Sequence, residues 1–165
     1  MNGMKTTSSP MESLLEELVR FHKEAEEIIA RRIAEICRET CSACQTPCCN
    51  EHMCSEADDS YFLTRIIGAD SRKNSGKWFD GNGCMLQYGR PMLCRDYFCD
   101  ELLVLAAEKI VPVRQFIKDW KLVYKNFASN RSLLVVGPDA MNTARLEKTL
   151  VKSEKFRQKW MPPTS

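Results

Sequence analysis

The chain has 165 residues, with 24 lysines and arginines against 22 aspartates and glutamates and a formal net charge of +2. This length suits one domain with a hydrophobic core large enough to need no cysteine cross-links. The near balance of charge leaves no large positive field to attract nucleic acid or a membrane, so we expect neither as a partner and leave the protein partner unknown.

The first ten residues are polar and precede an acidic amphipathic run, a pattern unlike a signal peptide or a membrane span. We therefore predict a disordered lead at residues 1–8 and a cytoplasmic protein. In the reducing cytosol, clustered cysteines are more often metal ligands or redox thiols than disulfides.

A long first helix is predicted from Ser9 to about residue 39. Ser9 suits an N-cap, Pro10 the first helical position, and Glu12 completes a capping box. Apolar residues then recur at helical spacing, at Leu14, Leu18, Phe21, Ala25, Ile28, Ile29, Ile33 and Ile36. This stripe either packs the helix across the domain or forms a homodimer seam. Glu26 is assigned to the polar face, His22 to the surface and Cys37 to the core.

The rest of the chain is also predicted to be helical. A second helix stops at Gly68, a third contains residues 102–107 and is largely buried, and residues 133–136 form either a strand or a packing segment. The starts of the four later helices are assigned to Ser55, Asp96 or Asp100, Pro112 and Asp139. The predicted fold is mainly α: one helical domain over residues 9–160 with irregular cysteine-rich loops, at most one or two short strands, and a tail at 161–165.

The cysteines are the distinctive feature of this sequence. There are nine, and eight lie between residues 41 and 99: Cys41, Cys44, Cys48, Cys49, Cys54, Cys84, Cys94 and Cys99. The C-x2-C spacing of the first two lets both thiolates face one ion from a tight loop, and a closed site needs four ligands. Adjacent Cys48 and Cys49 point in different directions, so one of them ligates or the two serve neighbouring ions.

The cysteine pattern resembles the YkgJ-like family, which is described as a zinc- or iron-chelating domain. The shared pattern is C-x2-C-x3-CC, a variable stretch, and then C-x5-RP-x2-CR with a tyrosine before the RP. Here it covers residues 41–95, with Cys41, Cys44, Cys48, Cys49, Cys84, Tyr88, Arg90, Pro91, Cys94 and Arg95. The chain departs from the pattern in lacking a cysteine shortly before Cys84 and in having its tyrosine one residue nearer the RP. Cys54 or Cys99 is then the substitute ligand.

The predicted metal ligands are Cys41, Cys44, Cys48, Cys49, Cys84, Cys94 and Cys99, within a motif over residues 41–99. Arg90 and Arg95 are candidate charged donors to the thiolates. If a helix begins at Asp96 or later, Cys94 lies in a loop and Cys99 in the first helical turn, the arrangement we favour over a helix that begins at Pro91. His52 is an additional nitrogen candidate.

Zinc is the expected metal, because C-x2-C loops are typical of structural zinc sites, and an iron–sulfur cluster is the alternative. No other catalytic motif is evident, which favours a non-enzymatic metalloprotein without excluding an enzyme. Two alternatives remain: a metal-dependent protein-modifying enzyme similar to the flagellin lysine N-methylase family, which shares only the cysteines, and a thiol redox protein that uses Cys48 and Cys49.

Overall fold

The computed structural model describes residues 9–38, 57–68, 84 and 86–161. This part of the chain contains six α-helices and an isolated bridge between Asn130 and Val135, without a strand, so the predicted mainly α fold is confirmed. The helices are α1 (Pro10–Cys37), α2 (Tyr61–Ile67), α3 (Met92–Asp96), α4 (Asp100–Leu105), α5 (Ala107–Val123) and α6 (Thr143–Trp160), with a 3-10 turn at Pro138–Ala140. The predicted lead at 1–8 and residues 162–165 of the predicted tail lie outside the described residues.

Helix α1 begins where the sequence predicts. The Ser9 hydroxyl accepts a hydrogen bond from the Glu12 backbone N–H at 3.2 Å, and Pro10 occupies the first helical position. The Glu12 side chain forms an ion pair with Arg65, which joins the start of α1 to α2. The first turn of α1 is therefore fixed both locally and by a neighbouring helix.

The core lies where α1 packs against α5 and α6. Phe156 of α6 meets Phe21 of α1 and Phe116 of α5 edge to face, with ring centroids 5.7 and 4.9 Å apart. Leu18, Phe21 and Ala25 are fully buried in this layer. These three residues of the apolar stripe thus pack α1 across its own domain, the first of the two interpretations. The seam with a second copy stays a prediction.

Two assignments on α1 are wrong. His22 and Glu26, predicted at the surface and on the polar face, are both buried, with 0% and 1% exposure. They lie one turn apart on the side of the helix that carries Leu18 and Ile29, because positions 18, 22, 26 and 29 follow helical spacing. The Nδ1 atom of His22 and the carboxylate of Glu26 have hydrogen-bond partners far away in sequence, which periodicity does not report.

Several helix starts also differ from the prediction. Helix α2 is capped by the Ser60 hydroxyl, which accepts from the Leu63 N–H at 3.3 Å, and α6 by the Asn142 side chain rather than Asp139. Cys99, rather than Asp96 or Asp100, is the N-cap residue of α4. Helix α5 begins five residues before Pro112, because Ile110 in the preceding turn is buried in the core. The predicted Ser55 cap lies outside the described residues.

Helix α4 is less buried than its composition predicts. Leu102 faces the core, whereas Val104 and Leu105 are 81% and 67% exposed. A helix of six residues has less than two full turns, so its remaining sides project away from α5. An apolar composition without a clear stripe was therefore a poor guide to burial.

Residues 133–136 form a packing segment rather than a strand. Leu134 is fully buried and has a φ of +55°, and Val136 is buried beside it. The Ser60 hydroxyl donates to the Leu134 carbonyl at 2.6 Å and accepts from the Val136 N–H at 3.2 Å. One side chain at the start of α2 thereby holds this segment against the core.

Candidate metal centre

The structure describes three of the seven predicted metal ligands. Cys94 lies in α3 and is exposed, Cys99 precedes α4 and is half-buried, and Cys84 is half-buried. Cys94 therefore lies in a short helix rather than in the predicted loop. The other predicted ligands, Cys41, Cys44, Cys48 and Cys49, lie outside the described residues, as do the further candidates Cys54 and His52.

Glu26 of α1 binds the segment that carries the R-P-x2-C-R motif. Its Oε2 accepts the Gly89 N–H at 2.7 Å, and its Oε1 accepts the Arg90 N–H at 3.0 Å. The Arg95 guanidinium donates to the same Oε1 at 2.9 Å. One buried carboxylate therefore fixes both the entry to α3 and its last turn.

Arg95 has a partner, Glu26, that the sequence did not suggest. Its side chain is 8% exposed and forms a buried ion pair with Glu26. Its Nε has no hydrogen-bond partner within the described part of the chain. A buried guanidinium needs a counter-charge, and Glu26 supplies one. The predicted thiolate partners at Cys41, Cys44, Cys48 and Cys49 lie outside the described residues.

Arg90 closes the loop that precedes α3. Its Nε donates to the Leu86 carbonyl at 2.8 Å, and its Nη2 donates to the Cys84 carbonyl at 3.2 Å. The guanidinium thus binds two backbone carbonyls. It ties the chain at Cys84 to the start of the segment that carries Cys94.

Gly89 is required at its position for two reasons. Its φ is +79°, and a Cβ built on it would lie 2.5 Å from Cγ1 of Ile67 in α2. A side chain here would strain the backbone and displace α2.

Beside Gly89, the Tyr88 hydroxyl donates to Glu27 and the Lys23 ammonium lies 5.2 Å from the Tyr88 ring, so this tyrosine packs on α1.

His22 extends the network under Glu26 into the aromatic core. Its Nδ1 lies 2.9 Å from the Tyr124 hydroxyl, and its ring centroid lies 4.6 Å from that of Trp120. Burial lowers the pKa of His22 to about 4 and raises the pKa of Tyr124 well above its usual value, so both are neutral near pH 7. When Tyr124 donates to Nδ1, Nε2 carries the hydrogen and faces Glu26 Oε2 at 3.8 Å.

Sequence reasoning missed the group formed by His22, Glu26, Arg95 and Tyr124. A signal was present, because His22 and Glu26 share the helical spacing of the buried leucine and isoleucine of α1. Polar residues at core positions of an amphipathic pattern indicate a buried network when partners exist elsewhere. Those partners were not identifiable, since they lie about 60 to 100 residues further along the chain.

The described residues alone do not form a metal site. Within them, no three histidine, cysteine, aspartate or glutamate side chains come close enough together to hold an ion. What this region provides is a segment that Glu26 binds to α1 and that Arg90 closes by hydrogen bonds, with Cys84 and Cys94 near its two ends. Such a segment suits one half of a site that other ligands complete.

Comparison with known proteins found no matching family model, no matching curated protein and no matching solved structure. In the described ranges, no helix has both the length and the apolar character needed to cross a membrane.

Proposed function

We propose that this chain is a metal-binding protein that holds zinc through a closed, all-cysteine site. The ligands are drawn from Cys41, Cys44, Cys48 and Cys49 in the first half of the motif and from Cys84, Cys94 and Cys99 in the second. The protein acts in a reducing compartment, the cytoplasm, where such thiols stay available for a metal. Its role is non-enzymatic and serves a protein partner.

The observation that carries this proposal is the fixed segment from Cys84 to Arg95. A structural metal site needs ligand-bearing loops that are held in place by hydrogen bonds from the residues around them. Here Arg90 binds the Cys84 and Leu86 carbonyls, while Glu26 binds the Gly89 and Arg90 amides and the Arg95 guanidinium. Two residues of the motif, Arg90 and Arg95, thus make hydrogen bonds that hold it in position.

The chemistry of the donors supports zinc as the metal. Cys84 and Cys99 are thiols rather than disulfide partners, and both are half-buried. Thiolates shielded from water bind zinc and iron–sulfur clusters well, and C-x2-C spacing is typical of zinc. When bound, the metal would supply cross-linking between the cysteine loops and the helical core.

Anaerobic purification of the full chain, followed by metal analysis and a visible absorption spectrum, tests the proposal. We expect stoichiometric zinc and a colourless protein. A brown protein that contains iron and sulfide would show that the bound group is an iron–sulfur cluster instead of zinc. A protein with neither metal would contradict the proposal.

Single cysteine variants test the ligand set. Cys44→Ser and Cys94→Ser are each expected to lower the zinc content substantially. Cys37→Ser is the matched control, because Cys37 packs against the core at the end of α1 and is not assigned as a ligand. Equal zinc loss in all three variants would indicate a general loss of folding rather than loss of a ligand.

A further inference from the structure

Four cationic side chains line a cleft beside Asp96, the last residue of α3. We call it the basic cleft; its volume is about 510 Å³ and its polar lining is Asp96, Arg114, Lys118, Lys121, Arg131 and Ser132. The chain as a whole has a net charge of only +2. The cleft therefore concentrates positive charge that the rest of the surface balances.

Three of the cations come from one face of α5. Arg114, Lys118 and Lys121 are four and three residues apart, which places them in line along a helix. Lys121 Nζ lies 2.9 Å from Asp96 Oδ2, and Arg114 Nε lies 3.9 Å from Asp96 Oδ1. One carboxylate is thus shared by two cations and neutralises only part of their charge.

The fourth cation is held by a fixed turn. The Asn130 side-chain oxygen accepts the Ser132 and Leu133 N–H groups at 3.0 and 3.2 Å, and the Ser132 carbonyl accepts the Leu93 N–H at 2.8 Å. Arg131 is consequently presented from a turn that is anchored to α3. Within the described residues, neither Arg131 nor Lys118 forms an ion pair, and both are exposed.

We propose that the basic cleft binds the polyphosphate group of a small molecule. Its cations exceed its single carboxylate by three charges, which matches two or more linked phosphates rather than one monovalent anion. Arginine and lysine supply complementary contacts, planar and bidentate from the former and a point charge from the latter. A cleft of this size takes a small molecule, whereas nucleic acid is bound along an extended positive surface.

Pyrophosphate binding to the metal-loaded full chain, measured by isothermal titration calorimetry, tests this site. We expect saturable binding that weakens about tenfold or more in Lys118→Gln/Arg131→Gln, because two charge-assisted contacts are lost. The matched control is Lys109→Gln/Lys148→Gln, which removes the same charge from exposed lysines outside the cleft and is expected to bind as the unchanged protein does.

Three outcomes would overturn the proposal. They are no saturable binding of pyrophosphate, equal weakening in both double variants, and tighter binding of a single-stranded RNA oligonucleotide that the cleft variant also loses. The proposal does not depend on the metal site. Variants that bind zinc normally but fail to bind pyrophosphate separate the two functions, and metal content is measured on every sample.

Discussion

The α1–α5–α6 core and the segment at residues 84–96 are held by different forces. In the core, Phe21, Phe116 and Phe156 form a contiguous cluster that excludes water. In the segment, one carboxylate, Glu26, makes three directional hydrogen bonds, and Arg90 makes two more. The stabilisation from apolar burial grows with the apolar area that is buried and needs no specific partner. A buried charge, in contrast, lowers stability unless an opposite charge and hydrogen bonds compensate it. The difference teaches that the core stabilises the fold through apolar burial, whereas Glu26 sets the position of residues 89–95 on α1.

The largest effect on stability should come from the core. Phe116→Ala removes a fully buried ring that contacts Phe156 and Trp160, so the free energy of unfolding should fall by about 3–5 kcal/mol. Urea unfolding followed by circular dichroism measures the loss. Leu105→Ala, at an exposed position on α4, should cost less than about 0.5 kcal/mol. Similar losses in both variants would contradict the assigned core.

Replacing the Glu26 carboxylate tests the other region. Glu26→Gln leaves the Arg95 guanidinium buried without a counter-charge, which should cost about 3 kcal/mol of unfolding free energy. It should also speed amide hydrogen exchange at Gly89 and Arg90 while exchange in α5 and α6 changes less. The control is Glu27→Gln, because Glu27 is exposed and, among the described residues, its carboxylate accepts a hydrogen bond from the Tyr88 hydroxyl alone. Equal acceleration in both variants would show that Glu26 has no special role.

The pH dependence of stability tests the role of His22, which lies between Glu26 and the aromatic core. The pKa of buried His22 is lowered to about 4 from 6.5, so the unfolded chain binds more protons between these values. The free energy of unfolding should therefore fall as the pH drops from about 6.5 to about 4, by up to roughly 1.4 kcal/mol per pH unit. In His22→Gln, which keeps a neutral hydrogen-bonding group beside Tyr124, the curve should be flatter. An unchanged curve would assign the pH dependence to other groups.

The smallest expected effect on stability comes from a comparison of Gly89 with Gly137. Gly89→Ala should cost about 1–3 kcal/mol, because it strains a positive φ and drives a Cβ into Ile67 of α2. Gly137→Ala is the control, since a Cβ there meets no atom within 4 Å and the φ of −77° suits any residue. Thermal unfolding compares them. An unchanged unfolding temperature in Gly89→Ala would mean that the chain at Gly89 can move away from Ile67 without loss of stability.

The helices of the core were predictable from the sequence, but the buried polar group around Glu26 was not. Leu18, Phe21 and Ala25 on α1 and Phe116 and Trp120 on α5 follow helical spacing, and that spacing is local information. The burial of Glu26 depends on Gly89, Arg90 and Arg95, whose contact with α1 is set by the tertiary fold. The starts of α2, α5 and α6 were misplaced for the same reason, because packing selected Ser60, the turn before Pro112, and Asn142 over equally suitable neighbours.

For the candidate site, the sequence supplies the ligand types and the structure supplies part of their support. The sequence allowed a helix that begins at Pro91 or one that begins at Asp96 or later. The structure instead has two short helices, with Cys94 in α3 and Cys99 before α4, and buries Met92 and Phe98 in the core. The roles of Arg90 and Arg95 were predictable as charged donors but not as donors to carbonyls and to Glu26. A donor's partner depends on which groups share its burial, and spacing along the chain does not contain that information.

The packing of α1 against α6 has a consequence for synthesis of the protein. Phe21 meets Phe156, and Arg157 donates to Glu24 at 2.8 Å, across 133 residues of chain. On the ribosome, α1 emerges long before α6, so the part of its apolar face that Phe156 covers stays exposed until α6 has been translated. Nascent chains with exposed apolar surface are chaperone substrates and aggregate readily. Ribosomes stalled before residue 143 should therefore carry a protease-sensitive nascent chain, and release of the finished chain should restore resistance.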